Sequence, residues 1–69
     1  MFIQSFAIQY NNHQQLINEA EGLIAKSRVY DILQDEANFK TAISEIDECF
    51  KRLSESKAKL TIYNQMLLN

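Results

Sequence analysis

From Phe39 onward, apolar side chains recur at alternating steps of four and three: Phe39, Ile43, Ile46, Phe50 and Leu53, then Leu60 and Leu67. Lys57 and Asn64 fill the two places where the series turns polar. A strand presents alternate residues to one face, so this spacing does not suit one; on an α-helix it draws a continuous stripe. Sustained over about four heptads, the stripe is a seam of the coiled-coil kind. Ala42, Cys49, Ser56 and Tyr63 run beside it at seven-residue intervals. Three of those four are small, which lets a neighbouring helix come close.

Nothing in the chain obliges a helix to stop early. There is no proline, and Gly22 is the only glycine. Turn-rich β architectures need more punctuation than that, so the fold class is all-α. The first half repeats the pattern more weakly through Ile3, Phe6, Tyr10, His13, Ile17, Ala20, Ile24 and Ser27, with Leu16, Leu23 and Tyr30 alongside. A helix is expected from Asn12 to about residue 30, with Asn12 as its N-cap and Gln15 closing a capping-box-like pair. Residues 2–10 also fit strand alternation through Phe2, Phe6, Ile8 and Tyr10, but a helical extension is the favoured reading. Gly22 lies inside the helix at a cost of about 1 kcal/mol relative to alanine, either tolerated or marking a close helix contact.

The turn between the halves carries neither proline nor glycine. Asp31 with Gln34, or Asp35 alone, is suited to cap a second helix beginning near residue 32 or 36. The expected architecture is therefore one small helical domain over residues 1–69. It is an antiparallel hairpin with a helix near 12–30 and a longer one near 36–68. A single continuous helix, its seam paired with another chain, is the competing geometry.

A chain of 69 residues sits at the small end of what one core can stabilise, and such chains lean on disulfides, a metal or association. One cysteine, Cys49, and one distant histidine, His13, provide neither a disulfide nor a metal-ligand cluster. Association is left. A net charge of −2 supplies no basic footprint for nucleic acid. No run approaches the ~18 apolar residues of a membrane span. "MFIQSFAIQY" lacks the basic residues and the long apolar run of a secretory signal. A cytoplasmic location is the expectation, with which a lone cysteine is compatible.

The segment "ANFKTAISEIDECFKRL" resembles the second helix of a tetratricopeptide repeat, with Phe39 and Ala42 in fitting places. Upstream, Tyr30 stands where that repeat wants a small residue, and no proline closes the unit. In format the chain is also similar to the small helical-hairpin co-chaperones of bacterial secretion systems, although no signature residue carries that likeness. No family is assigned from either.

No phosphate-binding loop, nucleophile elbow or metal cluster is present, so no enzyme activity and no cofactor are expected. Cys49, beside the apolar stripe, reads as a packing residue. His13 reads as a half-buried side chain rather than a charge switch at an interface. Acid–base pairs one turn apart, Glu36–Lys40, Asp47–Lys51, Glu48–Arg52 and Glu55–Lys59, mark a solvated face.

Charge is missing at both ends of the chain: the first charged side chain is Glu19 and the last is Lys59. A hairpin brings those ends together, and "LTIYNQMLL" is apolar nearly all round its helix. The expected partner-binding residues are Phe2, Phe6, Tyr10, Leu60, Tyr63, Met66 and Leu67, forming an apolar surface for another protein. The function that follows is an interaction module: an adaptor, co-chaperone or small regulator. The alternative is a self-associating homodimer or helical bundle. Lys57 and Asn64, as breaks in the seam, tip the reading towards a different protein as partner.

Overall fold

The computed structural model describes residues 2–68, with Phe2 represented by its backbone only. It consists of α1 (Phe2–Ile32) and α2 (Glu36–Leu68), packed against each other as an antiparallel hairpin. At 1.5 Å per residue, the 33 residues of α2 span roughly 50 Å. The molecule is 52 Å long, so neither helix folds back.

α1 begins ten residues earlier than the expected N-cap at Asn12, which is an exposed residue within the helix. With no proline or β-favouring partner strand to interrupt them, residues 2–10 propagate the helix at one hydrogen bond per residue, needing no cap of their own. Gly22 is exposed, and a Cβ built on it would meet nothing within 4 Å. It marks no close contact.

The turn is a Schellman motif fused to an N-cap. Gln34 adopts φ 58°, and its N–H donates to the Asp31 carbonyl at 3.1 Å. The Asp35 N–H reaches back to the Tyr30 carbonyl at 2.9 Å. Those are the paired bonds that close a helix through a left-handed residue. Asp35 then starts α2: its Oδ1 accepts the Asn38 N–H at 3.3 Å and its Oδ2 accepts the Asn38 side-chain amide at 2.7 Å. Of the two cap candidates, Asp35 is the one used. Glu36 adds a negative charge to the first turn, favourable against the helix dipole.

The seam itself is built from small side chains. Ala20 and Ser27 of α1 and Ala42, Cys49 and Ser56 of α2 are all buried, and Ile46 is the one large side chain that joins them. The transverse extents, 14 and 13 Å, place the axes about 9 Å apart once a Cα cylinder of about 2.3 Å radius is subtracted. Two straight helices lying flat would be only about 5 Å thick in one direction. The near-equal extents therefore mean that the plane of the pair rotates along its length.

That packing corrects the expected seam. Phe39, Ala42, Ile46, Cys49, Leu53, Ser56, Leu60 and Tyr63 form the inner line of α2. Ile43 and Phe50 lie outside it, 46% and 50% exposed. Lys57 and Asn64 are exposed too and do not interrupt the helix–helix contact. Close approach selects the line of small residues, and the bulkier line at the neighbouring heptad position is displaced to the flank.

Salt bridges contribute little. Glu36–Lys40 and Asp47–Lys51 form at 3.0 and 3.4 Å, both well exposed, and pairs of this kind are worth about 0.3–0.5 kcal/mol each. Arg52, expected to pair with Glu48, instead reaches across the seam to Glu19 at 4.0 Å.

Two substitutions test the backbone reading. Gly22→Ala should stabilise the hairpin by about 1 kcal/mol, and Gln34→Gly by a similar amount through relief of the left-handed conformation. In a domain this small either change should raise Tm by about 4–8 °C, read by thermal circular dichroism. A fall in Tm for Gln34→Gly would contradict the turn geometry.

Candidate functional site: the open end and the apolar flank

Of the nine Gln, Asn, Ser and His side chains among the first eighteen residues, seven are exposed; Gln9 and His13 are not. Both are half-buried, and both meet Ser56 of α2. Gln9 Nε2 donates to Ser56 Oγ at 2.9 Å, and His13 Nδ1 lies 3.0 Å from the same oxygen. Ser56 Oγ thus joins both α1 side chains in one layer, accepting from Gln9 and sharing a hydrogen bond with the His13 ring. Further along, Cys49 Sγ donates to the Leu16 carbonyl at 3.4 Å, and Ser27 Oγ donates to the Ile24 carbonyl at 2.7 Å. Among the described residues no buried side-chain N or O atom lacks a partner. Cys49 is buried in the seam, where it packs.

Beyond the Ser56 layer lies the open end. Phe6 and Tyr10 stack one turn apart, with ring centroids 6.4 Å apart and an interplanar angle of 19°. They line a shallow groove of about 270 Å³ with Lys57, Leu60, Thr61 and Asn64. The structure thus brings together three of the expected partner-binding residues, Phe6, Tyr10 and Leu60. Tyr63 is half-buried in the seam and serves the hairpin first. Met66 and Leu67 are 47% and 40% exposed, available at the tip. The side chain of Phe2 lies outside the described residues. Ile3, Ile8, Ile62 and Leu68 add to the same end, each more than half exposed.

A second apolar feature runs along the body. The register set by Gln9, His13 and Ser56, by Leu16 and Cys49, and by Glu19 and Arg52 makes the two flanks of the seam chemically unlike. On the Arg52 side stand Glu19 and Lys26 of α1 and Glu45, Arg52 and Lys59 of α2. On the other side stand Ile3, Tyr10, Ile17 and Ile24 of α1 and Ile43 and Phe50 of α2, followed by Lys57 and Asn64. Ile17 and Ile24 are half-buried, and Tyr10, Ile43 and Phe50 are each about half exposed. At the turn, Val29, Ile32 and Leu33 form a third exposed group, set in sequence among the charged residues Arg28, Asp31 and Asp35.

The accessible surface is 5417 Å², whereas a compact protein of this mass would expose roughly 4,450 Å². The radius of gyration is 15.7 Å against roughly 11 Å for a compact chain of the same length. About 1,000 Å² beyond the compact expectation faces solvent, much of it apolar. Among the described residues no group of three or more His, Cys, Asp or Glu could hold a metal ion, and no helix is long and apolar enough to cross a membrane.

Ser56→Ala removes the hydroxyl that Gln9 and His13 share, a loss of about 1–3 kcal/mol, against a gain of about 0.5 kcal/mol in helix propensity. The net expectation is destabilisation by about 1 kcal/mol in urea unfolding; unchanged or higher stability would show that this layer does not hold the helices together.

Known protein families, characterised proteins and solved structures were each compared with this chain, and none matches it.

Proposed function

We propose that the protein is a non-enzymatic interaction module whose open end docks another protein. The observation that carries this reading is the exposure of large apolar side chains at an end with no charged residue before Glu19 or after Lys59. Patches of that kind on a small chain ordinarily serve a partner. Adaptor, co-chaperone and small-regulator roles all fit a surface that offers apolar area and one stacked aromatic pair but no reactive group. Burying a large apolar side chain is worth about 1.5–3 kcal/mol, and a few anchors commonly dominate an interface.

Leu67 and Met66 are the anchors to test, because they are exposed and outside the Ser56 layer. Leu67→Asp should abolish capture of the partner from extract of the source cells while leaving helix content within a few per cent of the parent. Tyr63→Asp is expected to do both kinds of damage, since Tyr63 also packs between the helices. Charge changes at Asp47 or Lys51, both exposed and paired with each other, should leave capture intact. If those charge changes disrupt binding and Leu67→Asp does not, the partner reads the charged surface and this reading fails.

A further inference from the structure

The apolar flank meets the groove of the open end at Tyr10 and Lys57 but runs from there along the body of the hairpin, and its centre, Ile17 and Phe50, has its own occupant. An a/d seam alone suffices for a two-stranded coil; a third apolar line beside it is the pattern of helices that face a bundle core. Both helices carry that third line on the same side of the hairpin, Tyr10, Ile17 and Ile24 in α1 and Ile43 and Phe50 in α2. We infer that this flank pairs with the same flank of a second copy, giving a four-helix bundle about a two-fold axis perpendicular to the long axis of the hairpin. α1 then lies against α1 of the second copy and α2 against its α2, with Ile17 and Phe50 at the centre and the two open ends at opposite tips.

Area favours this occupant, and charge selects its symmetry. The whole hairpin exposes roughly 1,000 Å² more than a compact chain of its mass, more than the ~800 Å² that each partner contributes to a standard interface, and a flank running along its length is where that excess can be covered. Ile17 is the midpoint of α1 and Phe50 is close to that of α2, so pairing centred on them overlaps the hairpins along nearly their whole length.

The charges at the margin of the flank choose between the two possible symmetries. Glu21 and Arg28 border it on α1, Lys40 and Asp47 on α2. If the open ends came together, α1 would face α2 of the second copy. The hairpin register would then set Glu21 opposite Asp47 and Arg28 opposite Lys40, and both Lys57 ammonium groups would share one layer. Each of those is a like-charge meeting, which disfavours that pairing. With the ends reversed, Glu21 faces Gln14, Asp47 faces Ser54 and Lys40 faces Thr61. Lys57 lies along Ile43 of the second copy, with Asp47 one turn further on. Every like-charge meeting is gone.

The pairing stands or falls separately from the open-end reading, because Phe50 and Leu67 lie on different surfaces. Multi-angle light scattering at about 100 µM should give twice the 8.0 kDa chain mass. Phe50→Glu should give the monomer mass with unchanged circular dichroism, and Ile43→Glu should do the same if Phe50→Glu loses helix. Glu45→Lys, on the charged flank, should remain dimeric. A nitroxide at Gln65→Cys in a Cys49→Ser background reads the symmetry. Reversed ends separate the labels by roughly 45 Å along the axis, and like ends hold them within roughly 25 Å. A monomeric parent, a Phe50→Glu or Ile43→Glu variant that folds and stays dimeric, or the short label distance would each overturn the proposal.

Discussion

The close approach of two helices through alanine, serine and cysteine governs the rest of this structure. Ala20, Ser27, Ala42, Cys49 and Ser56 set the distance between the axes; of the larger side chains that alternate with the small ones along α2, Ile46 is buried and Phe39, Leu53, Leu60 and Tyr63 are half-buried. Small residues bury little area individually, so the hairpin gains much of its cohesion from dispersion between closely spaced backbones and stems. The same spacing dictates where the bulk goes. Isoleucine, phenylalanine and tyrosine residues stand at the edges of the seam, half covered, and give the molecule its apolar flank and its apolar end.

Much of this was legible in the sequence. The four-and-three spacing identified both helices, and the start of α2 was narrowed to two candidates, of which Asp35 is the one whose carboxylate caps the helix. The inner face of α2 was harder to read. Two heptad lines compete there, Ile43 and Phe50 against Ala42, Cys49 and Ser56, and hydrophobicity favours the larger. Packing reverses the choice because the distance between axes depends on side-chain size, a pairwise property that one helix's pattern does not contain. The turn was hidden for a related reason. Gln34 carries no signature of a left-handed residue, and its conformation is imposed by the two carbonyl bonds that end α1.

The open end shows the same division. Absence of charge located the apolar surface, because no charged residue needs solvent there. It did not say which side chains are spent on the hairpin. Tyr63 turned inward and Met66 outward although both belong to one apolar run, and the difference is a matter of helical phase relative to α1. Gln9 was invisible as a structural residue until Ser56 appeared opposite it.

The single turn also gives the molecule a direction. Interactions beside Gln34 join residues a few positions apart, whereas the Gln9–Ser56 bond spans 47 positions. Closing a loop costs more entropy as it lengthens, although slowly, so each successive layer away from the turn is harder to form from the unfolded chain. Such a hairpin closes like a zipper from the turn and frays from the opposite tip, where local opening needs the least free energy. The hydrogen-bonded Ser56 layer sits one step inside that fraying tip, in the place of a latch. Anything that bridges Phe6 of α1 and Leu60 of α2, which line one groove at that end, therefore grips the last part of the zipper to shut, and holds the whole length closed from its loose end.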